Sequence, residues 1–199
     1  MKQMLRMAAV CIGLLLVIAL PVSATEYGAP EITPKTTMKQ LRENPSIKGS
    51  GLYTYVYIWE RDCDLLRHSK DNDTMEQVIG TESVNSCVAG MNYLIETYNA
   101  GTQITYKLFS PEEIAQDASR DRAELYYFPA EQPGAKYAVV LSGNALFYSG
   151  EMRGGVSTAW ELHQQGYAVF ALRYRIGHEA TNNAPLEDLG RAIRFITAN

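Results

Sequence analysis

The pattern of apolar and polar positions divides the chain into three regions. The first is an uninterrupted apolar run over residues 7–20. In the second, apolar residues recur every three or four positions from Met75 to Tyr98, which predicts one or two amphipathic helices. From Tyr137 onward, short apolar runs alternate with helical patterns in the order strand, helix, strand, helix. That order predicts a parallel sheet with right-handed crossovers.

Several short segments rich in apolar, aromatic and β-branched residues are predicted to be strands. They span residues 52–59, 104–109, 124–128, 137–141 and 167–172. The last two are apolar almost throughout, as expected for strands that are covered on both faces. Helices are predicted over 37–43, 110–118 and 154–165, and from Pro185 onward. In the last helix, one apolar face is predicted to consist of Leu186, Leu189, Ile193 and Ile196.

The N-terminal apolar run has the features of a secretory signal peptide. Lys2 and Arg6 precede it, and Pro21 and small residues up to Ala24 follow it. Its 14 residues are fewer than the roughly 20 that a membrane-spanning helix needs. We therefore expect cleavage after Ala24, a protein that is secreted or exposed at the cell envelope, and no stable membrane insertion afterwards. An uncleaved membrane anchor is the alternative.

Composition and charge narrow the choice of partners. The chain of 199 residues is 46% hydrophobic and 20% charged, as in ordinary globular proteins. Its net charge of −4 provides no basic stripe for phosphates, so a nucleic acid partner is not expected. None of the three histidines lies at ligand spacing from another, so no metal site is predicted. The sequence indicates no cofactor.

Two cysteines remain after removal of the signal peptide, Cys63 and Cys87. An exported protein is in a compartment that permits disulfides, so these two residues could be bonded. Such a bond would close a loop of about 25 residues and contribute about 3 kcal/mol in the chain-entropy model. Two buried free thiols are the alternative.

Three stretches of the last 65 residues carry a recognisable pattern. They are an apolar strand that continues into Ser142-Gly143-Asn144-Ala145, a second strand that ends in Arg173-Tyr174-Arg175, and the helix start Ala184-Pro185-Leu186-Glu187-Asp188. Taken in order, they resemble the α/β-hydrolase family, in particular its secreted esterase and deacetylase branch, whose members are similar to hormone-sensitive lipase or acetylxylan esterase.

The resemblance implies a fold class and a division of the chain. The fold class is α/β, with an α/β-hydrolase-like, mostly parallel sheet and flanking helices. Residues 1–24 form the signal peptide, and residues 25–103 form an N-terminal extension that is mainly helical with one strand. Residues 104–199 form the N-terminal half of the hydrolase core, which is incomplete at the C-terminus.

The same resemblance implies a secreted serine hydrolase, a carboxylesterase or deacetylase that acts on a small-molecule or carbohydrate ester. In this family, backbone N–H groups of the loop after the third strand bind the oxyanion. Those residues are Gly143, Asn144 and Ala145 here, where the family usually has glycines. We expect Gly143 to form the turn and Asn144 or Ala145 to supply the donor. An ordinary connecting loop is the alternative.

Tyr174 and Arg175 are candidate substrate-binding residues. They follow a predicted parallel strand, and open α/β sheets bind their ligands at the carboxyl ends of the strands. A structural ion pair between Arg175 and Glu179, Glu187 or Asp188 is the alternative. For the whole protein, the alternatives are a non-catalytic binding protein or pseudoenzyme with this fold, and a peptidase of the same fold.

The nucleophile is not predicted within these 199 residues. The family places it in a Gly-x-Ser-x-Gly turn at the tip of a strand. Ser157 in Gly155-Val156-Ser157-Thr158-Ala159 nearly fits, but it lies in a predicted helix, and Ser50 precedes a strand. We therefore expect a fragment, with the serine, acid and histidine beyond residue 199.

If the nucleophile lies beyond residue 199, the 199-residue chain alone will hydrolyse p-nitrophenyl acetate no faster than the buffer blank. Spectrophotometry of p-nitrophenol release measures this directly. Turnover that a serine-directed phosphonate abolishes would show that a nucleophilic serine is present in the chain.

Overall fold

The computed structural model describes residues 31–52, 58–59, 69–143, 146 and 148–198. Its helices are α1 (Met38–Glu43), α2 (Pro45–Ser50), α3 (Met75–Ile79), α4 (Val84–Asn99), α5 (Pro111–Gln116), α6 (Ser157–His163) and α7 (Ala184–Ala198). Its strands are β1 (Ile58–Trp59), β2 (Thr105–Lys107), β3 (Glu124–Phe128), β4 (Tyr137–Leu141), β5 (Tyr148–Ser149) and β6 (Ala168–Arg173). The predicted signal peptide, Cys63 and most of the predicted strand 52–59 lie outside the described residues.

A four-stranded sheet in the order β2-β3-β6-β4 forms the centre of the fold. Strands β4 and β6 are parallel, with Leu141 opposite Leu172, which confirms the predicted parallel pairing. Strand β3 runs antiparallel to both β2 and β6. The expectation of a mostly parallel sheet is therefore wrong for the described strands, which form a mixed sheet. Parallel pairing requires a long crossover, and the crossover through α6 joins only β4 to β6.

Helix starts follow the local signals of the sequence. Thr37, Thr74 and Ser110 each begin a helix with a capping box, in which the N-cap hydroxyl and the side chain three residues later satisfy each other's backbone N–H. The predicted helices over 37–43 and 110–118 are confirmed, and their ends differ from those of α1 and α5 by no more than two residues. The predicted helical region 75–99 is confirmed as two helices, α3 and α4.

Apolar side chains fill both faces of the sheet. Because side chains alternate along a strand, Tyr126 and Phe128 of β3 enter one core and Leu125 enters the other. The first core also contains Met91 and Leu94 of α4 and Ala159 of α6, while the second contains Ala192 of α7. The first core joins residues from both sides of the predicted boundary near residue 103. No helix among the described residues is long and apolar enough to cross a membrane.

The buried face of α7 differs from the predicted one. Leu186 is 66% exposed and Ile193 is 43% exposed, although Leu189 and Ile196 do pack against the second core. The residues of α7 that are buried are Ala184, Asp188 and Ala192. The apolar pattern cannot detect this face, because its central residue is a carboxylate held by an ion pair.

That ion pair joins α7 to the end of β6. The Arg175 guanidinium donates to the Asp188 carboxylate at 2.7 and 3.1 Å, and the Arg175 backbone N–H donates to the same group at 2.9 Å. Glu187 accepts a further hydrogen bond at 2.7 Å. Burial alone lowers the pKa of Arg175, but its hydrogen bonds to Asp188 and Glu187 outweigh burial and raise that pKa.

The substitution Asp188→Ala will lower the free energy of unfolding by about 3–5 kcal/mol, because it leaves the guanidinium of Arg175 buried without its main partner. Glu187→Gln is the matched control, since Glu187 is half-exposed and exposed ion pairs contribute at most about 1 kcal/mol. Urea unfolding measures both changes. Equal losses in the two variants would contradict the central role of Asp188.

Candidate active site

The candidate site lies where β4 and β6 end side by side. Ser142 and Gly143 follow β4, and Tyr174 follows β6. A Cβ atom on Gly143 would lie 2.0 Å from the Tyr174 hydroxyl oxygen, so only glycine fits there without movement of the loop or the ring. The backbone of Gly143 is not in the left-handed region, because its φ angle is not positive. The position therefore requires glycine for space, and the expectation that Gly143 forms the turn of this loop stays a prediction.

Among the described residues of the loop, Leu146 has a positive φ of +61°. A residue with a Cβ atom adopts this left-handed conformation at a cost of about 1–2 kcal/mol. The Leu146 carbonyl oxygen accepts a hydrogen bond of 2.6 Å from the backbone N–H of Gly177, which ties the loop to the segment after β6. Asn144 and Ala145 lie outside the described residues, so their roles as oxyanion donors stay predictions.

A buried polar cluster of Ser142, Ser149 and Glu151 lies directly behind Gly143. The Ser149 hydroxyl lies 2.9 Å from Glu151 Oε1, and the Ser142 hydroxyl lies 3.3 Å from Glu151 Oε2. The two hydroxyl oxygens are 3.1 Å apart, and the Ser149 hydroxyl also contacts the main-chain oxygen of Ser142. Glu151 is only 1% exposed. The cluster therefore connects the loop after β4 with the start of the following helix.

The pKa of Glu151 is raised to about 7, and burial is the largest cause. Hydrogen bonds from Ser149 and Ser142 and the positive charge of Arg173 lower this pKa, whereas the carboxylate of Glu124 raises it. Arg173 forms an ion pair with Glu124 at 2.7 Å, so its positive charge acts on both Glu124 and Glu151.

Glu151 lies at the start of a wide, π-helical turn. Residues Glu151–Val156 form a π-helix that continues into α6, so helical structure begins three residues before the predicted start at residue 154. A Cβ atom on Gly155 would lie 3.2 Å from the Ser142 hydroxyl oxygen, which is tighter than most such contacts. Single π-helical turns are rare in proteins, and those that occur are often found at functional sites.

Tyr174 and Arg175 are both buried, and their surroundings differ. Tyr174 contacts Gly143, and burial is the main cause of its raised pKa. Arg175 forms the ion pairs with Glu187 and Asp188, which is the alternative considered for it. Arg175 also lines a polar cleft of about 510 Å³ together with Arg120 and His178. A direct substrate contact of either residue stays a prediction.

Two other sequence candidates are buried in the structure. Cys87 is buried, and burial is the main cause that raises the pKa of its thiol to about 12. Because Cys63 is outside the described residues, the disulfide stays a prediction. The Ser157 hydroxyl contacts the main-chain oxygens of Ser83 and Met152 at 3.3 and 3.2 Å, as expected for a serine inside a helix. Among the described residues, no group of three potential ligands could hold a metal ion.

The cluster of Ser142, Ser149 and Glu151 was missed by reasoning from the sequence. A single glutamate in a predicted loop is typical of solvated surface, and no periodic pattern marks residue 151 as buried. The one available signal is the Gly154-Gly155 pair three and four residues later, which permits a close approach of backbone to another group.

Ionisation of Glu151 will destabilise the protein as the pH rises. The folded-state pKa of about 7 is above the usual value of 4.5 for this group, so the native state holds the proton to a higher pH than the unfolded state does. The free energy of unfolding, taken relative to Glu151→Gln, will fall by about 3 kcal/mol between pH 4.5 and 8, mostly from about 4.5 to 7. Urea unfolding at several pH values measures it. A constant difference between the two proteins would contradict the burial of an ionisable carboxyl at this position.

Comparisons with protein-family models, with curated proteins and with solved structures found no match to the chain. The resemblance to α/β-hydrolases therefore rests on this chain's own sequence motifs.

Proposed function

We propose that this chain carries the oxyanion-binding end of a secreted serine hydrolase, a carboxylesterase or deacetylase that cleaves an acyl ester. The observation that carries the proposal is the position of Gly143. It lies two residues beyond the end of β4, is exposed, and has its Cα atom against the Tyr174 hydroxyl.

The sheet supports the proposal. Strand β4 is the third strand of the four-stranded sheet along the chain, and the oxyanion loop of α/β-hydrolases follows the third strand. Strand β6, the fourth, lies between the second and the third and runs parallel to the third. The loop after β4 therefore leaves the sheet at the edge where open α/β sheets bind their ligands.

The chemistry requires backbone donors at such a place. Attack of a serine on an ester carbonyl forms a tetrahedral intermediate with a negatively charged oxygen. Backbone N–H groups that already point at that oxygen stabilise it without reorganisation. A residue without a side chain lets the substrate approach these N–H groups closely, and Gly143 provides this on the exposed side of the loop.

The two serines that the sequence offers as nucleophile candidates, Ser157 and Ser50, are not arranged as nucleophiles. The Ser157 hydroxyl contacts the main-chain oxygens of Ser83 and Met152, and the Ser50 hydroxyl donates to the main-chain oxygen of Ile47 at 3.1 Å. Both are buried. In the proposed enzyme, the nucleophile is therefore a different serine. The substrate we propose is a small-molecule or carbohydrate ester, met outside the cell or at its envelope.

The test uses the natural protein that contains this chain, at the length that its gene encodes. It will hydrolyse p-nitrophenyl acetate and will be labelled and inhibited by a fluorophosphonate. Gly143→Ala will lower kcat by about a hundredfold, because the clash with Tyr174 displaces the oxyanion donors. Tyr174→Phe in the same protein will restore part of the activity, since it removes the atom with which the new methyl group clashes.

Gly190→Ala is the matched control, because this glycine lies in α7 and a Cβ atom there meets only the end of a flexible arginine at 3.5 Å. It will leave kcat unchanged. Absence of both turnover and phosphonate labelling would contradict the proposal and favour a non-catalytic binding protein. Faster cleavage of peptide p-nitroanilides than of esters would favour a peptidase.

A further inference from the structure

The hydrogen bonds around Glu151 fix the orientation of the Gly143 N–H. The role inferred from them rests on the proposed function. Besides the contact between the two serine hydroxyls, three contacts in the cluster involve a carboxyl or main-chain oxygen, and each of these three needs a proton. They join Ser149 to the main-chain oxygen of Ser142, Ser149 to Glu151 Oε1, and Ser142 Oγ to Glu151 Oε2. The two serine hydroxyls carry only two protons. An ionised carboxylate is an acceptor only, so one contact would then lack a donor.

A protonated Glu151 satisfies all three contacts at once. Its Oε1–H donates to the Ser149 hydroxyl oxygen, the Ser149 hydroxyl donates to the main-chain oxygen of Ser142, and the Ser142 hydroxyl donates to Oε2. The 2.9 Å between Ser149 Oγ and Glu151 Oε1 suits a hydrogen bond in this direction. Buried polar networks are stable when every member has a partner. The geometry therefore favours a relay from Glu151 through Ser149 to the main chain.

The last member of the relay is the peptide group of Gly143. The main-chain oxygen of Ser142 and the N–H of Gly143 belong to the same peptide unit, which is trans. In a planar trans peptide, the C=O and the N–H point in opposite directions. Because the oxygen points into the buried cluster, the Gly143 N–H points away from it, and Gly143 is exposed.

We propose that Glu151 is a positioning residue: its protonated carboxyl, through Ser149, holds the Ser142 carbonyl and so aims the Gly143 N–H at the ester oxygen. This differs from the expectation that only Asn144 or Ala145 supplies the donor. The Ser142–Gly143 peptide is fixed on its carbonyl side by the relay and on its glycine side by the ring of Tyr174. Ionisation of Glu151 removes one proton from the relay and frees the peptide to rotate.

Within the part of the chain that the structure describes, the charged and titratable groups that act on Glu151 come from two strands and the segment that follows one of them. Glu124 and Tyr126 of β3 face it, together with Arg173 of β6 and Tyr174 just after it. Arg173 favours the ionised carboxylate and Glu124 opposes it. These two residues form an ion pair with each other, so neither contributes an isolated charge to the relay.

The first experiment needs no catalysis. The natural protein is labelled with ¹⁵N-glycine, and the Gly143 amide resonance is assigned by its loss in Gly143→Ala. In the wild type, this resonance will shift with a single midpoint near the pKa of Glu151, which is about 7. In Glu151→Gln it will not shift, because glutamine donates to Ser149 at every pH. Gly134, which has no atom near its Cβ position, serves as the reference resonance.

The second experiment measures the turnover of p-nitrophenyl acetate. Ser149→Ala breaks the relay and will lower kcat by about tenfold or more, with KM changed less than about twofold. Ser157→Ala is the matched control, since it removes an equally buried serine hydroxyl outside the relay, and it will leave kcat within about twofold. The ratio of kcat in Glu151→Gln to kcat in the wild type will rise as the pH passes 7, because glutamine keeps its donor while Glu151 loses its proton. Ionisations that the two proteins share cancel in this ratio.

The outcomes separate the two proposals. A Gly143 resonance that shifts equally in Glu151→Gln, or that does not shift in the wild type, would overturn the relay even in an active esterase. A shift confined to the wild type in a protein without esterase activity would support the relay and overturn the proposed function. Equal losses in Ser149→Ala and Ser157→Ala would also overturn the positioning role.

Discussion

The parallel register of β4 and β6 is the constraint on which the rest of the site depends. Leu141 and Leu172 are partners in this register, so the two strands leave the sheet at the same level. The residues two positions further on, Gly143 and Tyr174, are therefore brought into contact. A shift of the register by one residue would turn every side chain to the opposite face. It would then place a residue other than Tyr174 against the glycine.

Two buried ionisable side chains near these strand ends, Arg175 and Glu151, are held in different ways. Arg175 continues beyond β6 and is neutralised by Asp188, which anchors α7 to the sheet. Among the described residues, the cation whose charge acts on Glu151 is Arg173, which is itself paired with Glu124. A buried acid without a dedicated counter-ion favours its protonated form. The same structural region therefore contains one side chain held by charge pairing and one held by hydrogen bonding in its neutral state.

Much of the fold was predictable because its signals are local. The limits of strands 124–128 and 137–141 agree with β3 and β4 residue for residue, since apolar β-branched runs bounded by turns specify a strand without distant contacts. The capping box at Ser110 is likewise read from four consecutive residues. The buried face of α7 was not predictable in this way, because Asp188 is buried through a partner 13 positions earlier in the chain.

The candidate site shows the same division. Position 143 was identified from its place after an apolar strand, yet the reason for a glycine there is the hydroxyl of Tyr174, which is distant in sequence. The sequence by itself determined the order of strands and helices, the helix starts and the loop that follows β4, because neighbouring residues decide each of them. Only the tertiary structure decided the mixed sheet, the burial of Glu151 and the direction of the Ser142–Gly143 peptide. Those features arise where segments far apart in the chain meet, and a buried polar group is defined by the partners it finds there.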